Sequence, residues 1–175
     1  MHGLIQDVPL TTSATLAHAA RVYPETELLT AREGTIVHRT TYAETEVRAR
    51  RLAASLVQLG LIRGDGESFL GALAFNTWRL FEVMHAVPGA GAVLHTANPR
   101  LHETHLAYTI SHAQDRALLV DLECLTLAET IAPHCPRVER WNVLCRREEL
   151  PETSLPNPLC YEDLVDSGSE DFSWP

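Results

Sequence analysis

The 175-residue sequence contains no lysine. All 14 basic residues are arginine, and 23 acidic residues give a net charge of −9 at pH 7. A Walker-type phosphate loop needs Gly-Lys-Ser/Thr because the lysine brings positive charge to the phosphates. The glycine-rich stretch GAGAVLHTANPR, Gly89 to Arg100, therefore does not match such a loop. It also lacks the third glycine that opens a helix in dinucleotide-binding folds, and its AVLH sequence predicts a strand.

Several motifs of catalysis and metal binding are missing as well. No Gly-x-Ser-x-Gly motif occurs, and Ser111 and His112 are neighbours whose side chains diverge on a helix. The sequence has no Cys-x-x-Cys pair. Its four cysteines are separated by nine or more residues, which predicts reduced thiols in a cytoplasmic protein: Cys124, Cys135, Cys145 and Cys160.

Features of secreted, membrane-spanning and nucleic-acid-binding proteins are also lacking. The N-terminus has no basic region followed by an apolar run, and no apolar stretch reaches membrane-spanning length. Residues 148–175 carry eight acidic residues and no basic one, and this charge repels phosphate backbones and anionic lipids. We therefore expect a cytoplasmic protein with no nucleic-acid partner and no membrane span.

Regular structure is strongly indicated in the first 60 residues. Apolar spacing predicts a helix over 15–23 that stops at Pro24, and Glu33-Gly34 is typical of a hairpin turn. Thr41 and Glu44 form a capping-box pattern, after which apolar residues recur at helical spacing as far as Leu59.

From residue 68 onward, strands and helices are predicted in strict alternation. Strands are expected at 68–75, at AVLH, at 116–121 and at RVERWNVLC, with helices between them; the first helix is expected to end at Pro88-Gly89. This β-α-β-α-β-α-β order predicts an α/β fold, layered, with a mostly parallel sheet and helices on both faces.

Composition divides the chain into three segments. We expect an N-terminal helix and hairpin segment at 1–40, an α/β subdomain at 41–147, and an acidic, proline-rich connector at 148–175 that is solvated and partly disordered. The final residues, DFSWP, place a large aromatic side chain at the end of the sequence with nothing after it, so we expect an incomplete C-terminal end.

Candidate site residues are few, and each has a structural alternative. Three histidines near one helix face could hold zinc, but they flank a buried stripe and structural roles are favoured: His102, His105 and His112. Ligands collect at the carboxyl ends of parallel strands, here Asn76, Thr96 to Asn98 and Asp121; capping is favoured over binding for Asn76 and Asp121. The adjacent carboxylates Glu162 and Asp163 are expected to be solvated. No catalytic, cofactor-binding or metal-binding residue is assigned.

Two long segments resemble a known family. TTYAETEVRARRLAASLVQLG and FNTWRLFEVMHAVPGAGAVLHTANPRLHETHLAYTISHAQDRALLVD, Thr40–Gly60 and Phe75–Asp121, are similar to the N-terminal portion of AMP-forming acyl-CoA synthetases, the adenylate-forming ligases. The similarity is greatest to the medium- and long-chain fatty-acid–CoA ligase branch, which HGLIQDVPLTT and YEDLVDSGSEDFSWP also fit. Family members usually have Gly-Asp-Arg-Val where this chain has Gly64-Asp65 followed by GESFLG.

The resemblance implies the N-terminal subdomain of the adenylate-forming ligase fold and, for the intact parent enzyme, a reaction of ATP, fatty acid and CoA that needs Mg²⁺. The family's Pro-Lys-Gly loop, acidic magnesium ligand and C-terminal lysine have no counterpart here. We therefore expect an N-terminal fragment that is inactive alone and holds no cofactor itself. Its partners would be the remainder of the ligase or a second subunit, as in a homodimer.

Two alternatives remain open. One is a free-standing nucleotide-binding or flavodoxin-like module that uses the crevice at Asn76 and Asn98. The other is an assembly or dimerisation element in which the segment before Thr40 packs on a partner subunit. An uncovered apolar face would favour the second.

Overall fold

The computed structural model describes residues 10–64 and 66–175. Residues 2–9, which make up most of HGLIQDVPLTT, lie outside the described residues, as does Asp65, after which the chain departs from the family's Gly-Asp-Arg-Val sequence. The helices of the described chain are α1 Thr12–Val22, α2 Tyr42–Gln58, α3 Trp78–Gly89, α4 Glu103–Ala113, α5 Leu125–Ile131 and α6 Tyr161–Ser167. The strands are β1 Glu27–Arg32, β2 Thr35–Thr41, β3 Phe69–Leu73, β4 Val93–Ala97, β5 Ala117–Asp121, β6 Arg140–Leu144 and β7 Pro158–Cys160.

The predicted hairpin and capped helix are confirmed. Strands β1 and β2 pair antiparallel around Glu33 and Gly34, both of which have positive φ. The Thr41 side chain accepts from the Glu44 backbone amide while the Glu44 carboxylate accepts from the Thr41 amide, which satisfies two donors at the start of α2. Leu52 and Leu56 face the core, but Leu59 is exposed because α2 ends before it.

Strands β3 to β7 form one parallel sheet in the order β4-β3-β5-β6-β7. Side chains of successive residues point to opposite faces, so Leu119 packs with α1, α2, α3 and α6, while Leu118 and Val120 pack with α4 and α5. The predicted fold class, a parallel sheet with helices on both faces, is confirmed. Within the described part of the chain, no helix combines the length and apolar character needed to cross a bilayer.

The expectation of a solvated connector after residue 147 is wrong for residues 158–167. Strand β7 pairs with β6 and α6 packs on α2, so these residues add a strand to the sheet and a helix to the layer that α1, α2 and α3 form on one face of it. The physical reason is a short apolar set whose members are all buried in the structure: Cys160, Tyr161, Leu164 and Val165. Pro158 is compatible with pairing because it begins an edge strand.

Helix α3 ends where the sequence predicts, at Pro88-Gly89, with Pro88 inside its last turn. The turn closes when the amide of Ala90 donates to the Ala86 carbonyl and Gly91 adopts positive φ.

Candidate functional site

The carboxyl edge of the sheet is where a parallel α/β fold collects ligands, and its polar residues mostly have structural roles. Of the two candidates for the cap of α3, Asn76 and Thr77, it is Thr77 that caps the helix, and its hydroxyl accepts from the Leu80 amide. The Asn98 side chain accepts from the Arg100 amide and so closes the turn after β4. Asp121 caps the 3₁₀ turn that follows β5, as predicted.

The central feature of this edge is Trp78, the first residue of α3. Its indole stacks on the His38 ring with centroids 4.0 Å apart and planes inclined by 14°. The guanidinium carbons of Arg48 and Arg79 lie 4.8 and 4.5 Å from the Trp78 ring centroid, within cation–π range. Burial and the two arginines lower the pKa of His38, so its neutral form is favoured.

Behind Trp78 lies a network of charged side chains that joins three helices. Arg48 of α2 donates from Nε to Glu82 of α3 at 2.7 Å and from Nη2 to Glu162 of α6 at 2.8 Å. Arg79 donates from Nε to the other Glu162 oxygen at 2.8 Å and from Nη1 to the Leu144 carbonyl at 3.1 Å. Tyr161 donates to Glu82 at 2.6 Å. Such charge-assisted bonds fix the helices relative to one another.

The expectation for the carboxylate pair is therefore wrong for Glu162. Its side chain is only 16% exposed and is shared by two arginines. Asp163 is more exposed, at 37%, and forms an ion pair with Arg147 at the surface.

Two open clefts flank Trp78 and His38. The larger, about 850 Å³, lies between α2, α6 and the loop after β6. Its lining carries five arginines and five carboxylates: Arg39, Arg48, Arg51, Arg146, Arg147, Glu44, Glu148, Glu162, Asp163 and Asp166. The second, about 490 Å³, extends past Asp121 to the hairpin. Because the charges of the larger cleft balance, it offers no strong field for a polyanion.

The histidines are dispersed. His95 Nδ1 lies 2.7 Å from the Asp115 carboxylate, whose pKa is raised by burial against the opposing effect of His95. His102 is the N-cap of α4 and not a residue of the helix, and its ring accepts from the Thr104 amide. In the described ranges, no group of three or more His, Cys, Asp or Glu residues could hold a metal ion.

The candidate nucleophiles are engaged or unreactive. The Ser111 hydroxyl donates to the His134 carbonyl and has no bond to His112. All four cysteines are free and buried. Burial raises the pKa of Cys124 to about 11 and that of Cys145 to about 12, so both thiols stay protonated at neutral pH.

Sequence reasoning missed the network around Trp78. The signal was present as two charged residues on otherwise apolar helix faces, Arg48 in α2 and Glu82 in α3. The second partner of Arg48, Glu162, lies 114 residues after it, so no local spacing could connect them.

Comparison with curated proteins gives a consistent result over the whole chain. The chain is 37% identical over all 175 residues to a 3-methylmercaptopropionyl-CoA ligase of Ruegeria lacuscaerulensis and 33% identical to a medium-chain-fatty-acid–CoA ligase of Ectopseudomonas oleovorans. It is 42% identical over 150 residues, 86% of the chain, to a long-chain-fatty-acid–CoA ligase of Thermus thermophilus. It spans about a third of the first two relatives, 32% of each, and 26% of the third.

Solved structures show the same fold. An anthranilate CoA ligase in complex with anthranoyl-AMP matches 97% of the chain with a TM-score of 0.80 at 19% identity, and the match covers 30% of that protein. The family model described as AMP-binding enzyme matches residues 16–165. The chain therefore belongs to the AMP-binding enzyme family, in which it corresponds to an N-terminal portion of the acyl-CoA ligases.

Proposed function

We propose that this chain forms the N-terminal α/β part of a fatty-acid–CoA ligase and acts as scaffold for that enzyme. The observation that carries the proposal is the uninterrupted similarity of all 175 residues to acyl-CoA ligases of which the chain spans 32%. The parent reaction has two steps. A carboxylate oxygen of the fatty acid attacks the α-phosphorus of ATP and releases pyrophosphate, and the CoA thiol then displaces AMP from the acyl-adenylate.

This chemistry builds negative charge on phosphate oxygens, which Mg²⁺ and cationic side chains must neutralise. The residues of this chain do not fit that role. The sequence has no lysine, and the arginines nearest Trp78, Arg48 and Arg79, are already paired with Glu82 and Glu162. Across 10–64 and 66–175, no cluster offers three metal ligands. We therefore assign ATP, Mg²⁺ and CoA binding to the rest of a complete ligase and derive no catalytic step from these residues.

The names of the relatives support a fatty acid as the substrate class, since two are named for medium- and long-chain fatty acids. The four free, buried cysteines support a reducing compartment such as the cytoplasm. The partner of the chain would be the remainder of the ligase, within one polypeptide or as a second subunit.

A domain exchange tests the scaffold role. The matching portion of the Ruegeria ligase would be replaced by this chain, and acyl-CoA formation would be measured with fatty acids of several lengths. We expect the chimera to be active and the Ruegeria remainder alone to be inactive. A folded chimera without activity, at normal expression and with a cooperative melting transition, would count against the proposal.

A second assay tests the expectation that the isolated chain is inactive. Pyrophosphate release would be followed with ATP, Mg²⁺ and palmitate, using the chain alone and the intact Thermus ligase as positive control. No release is expected from the chain. Turnover by the chain would show that these residues hold a triphosphate, contrary to the assignment above.

An assembly role has one specific observation in its favour. The hairpin exposes three apolar side chains, with 50% of Leu29, 43% of Ile36 and 54% of Val37 accessible. In the described residues each hairpin strand pairs only with the other, so both outer edges are open. Analytical ultracentrifugation of the chain and of Val37→Glu tests this role. A dimer that Val37→Glu dissociates would support it, and a monomer at all concentrations would refute self-association.

A further inference from the structure

Glu82 is a fully buried carboxylate in the middle of α3, with a side chain 0% exposed. Arg48 of α2 reaches one oxygen, Oε1, and the Tyr161 hydroxyl of α6 reaches the other, Oε2. Each oxygen thus has one strong donor from a different helix. Nothing in the ligase reaction proposed above uses this group.

Arg48 also has a second carboxylate within reach. Its Nη2 already donates to Glu162, which is held in place from the opposite side by Arg79. The charged and titratable groups that face Glu82 are therefore Arg48 from α2, and Tyr161 and Glu162 from α6. Arg48 and Arg79 carry two positive charges opposite the carboxylates of Glu82 and Glu162, and Glu149 lies a further 3.8 Å from Arg79. A proton on Glu82 leaves Arg48 with only Glu162, which it shares with Arg79, as a charged partner.

We propose that Glu82 is a proton-linked clamp that positions the Arg48 guanidinium over Trp78 when ionised and releases it toward Glu162 when protonated. A proton from solvent binds one Glu82 oxygen and converts an acceptor-only carboxylate into a neutral acid. The bond from Arg48 Nε then weakens, because its acceptor no longer carries the opposite charge. When the proton binds Oε1, the oxygen that faces Arg48, the Tyr161 hydroxyl keeps its donation to Oε2, which remains an acceptor.

Two properties of the surroundings support Glu82 as the group that titrates. Burial raises the pKa of Glu82 to about 7, against the opposing effects of Arg48 and Tyr161, so the change falls near neutral pH. Burial raises the pKa of Tyr161 well above its usual value, and it keeps its proton. Although burial alone would lower the pKa of Arg48, the two carboxylates raise it, and Arg48 stays charged.

Trp78 is a built-in reporter, because the Arg48 guanidinium carbon lies 4.8 Å from its ring centroid. Tryptophan fluorescence would be measured from about pH 5 to about pH 9, a range that brackets the usual pKa of histidine as well as that of the raised carboxyl. We expect a transition with a midpoint near pH 7, above any transition of His38, whose pKa is lowered by burial and by the two arginines. The transition should disappear in Trp78→Phe, which removes the reporter, and in Glu82→Gln, which cannot ionise.

His38→Gln is the matched control, because His38 stacks on the same indole and is itself titratable, with a pKa lowered by burial and by the two arginines. The transition should persist in His38→Gln. Its loss there, or its persistence in Glu82→Gln, would assign the signal to another group and overturn the proposal.

The carboxyl carbon of Glu82 gives an independent test that needs no variant, should Glu82→Gln fail to fold. Its ¹³C chemical shift in the unsubstituted protein would be followed through the same pH range. A midpoint near pH 7, with a parallel shift of the Arg48 Nε–H signal, is expected. A midpoint at or below about pH 5, the ordinary range for glutamate, would overturn the proposal.

Discussion

Trp174 packs on Gly89, so whether Gly89→Ala stabilises or destabilises the protein should depend on the presence of Trp174. Gly89 lies in the last turn of α3, and a Cβ added there would lie 2.7 Å from Cζ3 and 2.8 Å from Cε3 of the Trp174 indole. Neither distance is tolerated, so Gly89→Ala must displace the indole from the core that it packs against. Phe172, which stacks edge-on at 5.6 Å from the indole, should loosen with it.

The magnitude follows from two opposing effects. Removing a partly buried indole from an apolar contact costs about 2 kcal/mol, near the middle of the range for burying a large apolar side chain. Gly89 has no positive φ, so alanine there favours the helix by about 0.5–1 kcal/mol. We therefore expect Gly89→Ala to lower the free energy of unfolding by about 1 kcal/mol. In a Trp174→Ala background the clash with the indole is absent and only Ser13 Cβ, at 3.0 Å, must move slightly, so the same substitution should stabilise by at most about 0.5–1 kcal/mol.

The double-mutant cycle consists of the unsubstituted protein, the two single variants Gly89→Ala and Trp174→Ala, and the double variant. Urea unfolding of these four proteins measures how the effect of Gly89→Ala on the free energy of unfolding changes with Trp174. The emission maximum of Trp174 should also shift to the red in Gly89→Ala, as the indole becomes solvated. If Gly89→Ala stabilises the protein in both backgrounds, the indole is not packed on the glycine. The reasoning from the Cβ distances would then be wrong.

Three further predictions test the charged network and the helix cap by urea unfolding. The pKa of Glu82 is raised from 4.5 to about 7, so between these pH values the native state binds a proton that the unfolded state does not. The free energy of unfolding should therefore fall as the pH rises from about 4.5 to about 7, by at most about 3 kcal/mol. Glu82→Gln should flatten this slope, and an unchanged slope would contradict the assignment. Glu162→Gln should cost about 1–3 kcal/mol because it removes the half-buried carboxylate that Arg48 and Arg79 share, whereas Asp163→Asn at the surface should cost less than about 1 kcal/mol; equal effects would refute the distinction. Thr41→Ala should cost about 1 kcal/mol through loss of the capping box, and Thr35→Ala on the exposed hairpin less than about 0.5 kcal/mol.

Local sequence patterns were sufficient for most of the fold. The alternation of strands and helices from residue 68 predicted a parallel sheet, and Thr41 with Glu44 predicted the start of α2, because both features depend on residues a few positions apart. Strand β7 was missed for a physical reason. It has only three residues, begins with proline and obtains its stability from pairing with β6, which no local spacing reveals.

The candidate site was less predictable than the fold. The histidines stand out in the sequence, yet they cap a helix, bond to nearby groups or lie at the surface. The residues that the structure brings together are ordinary in sequence. Arg48, Glu82 and Glu162 become a site only because α2, α3 and α6 pack at one end of the sheet.

The contacts of residues 148–175 show that the acidic residues of this segment balance arginines elsewhere in the chain. Counted along the sequence, residues 148–175 are an acidic excess attached to a nearly neutral body. In the structure, three acids of this segment neutralise arginines of α2 and α3 and of the loop after β6: Glu162 with Arg48 and Arg79, Asp163 with Arg147, and Glu170 with Arg51. The body therefore depends on this segment for its charge balance as well as for its last strand and helix. A cut at residue 147 would leave Arg51 and Arg79 without a carboxylate partner and Arg48 with Glu82 alone, so a boundary drawn from composition there does not separate two independent folding units.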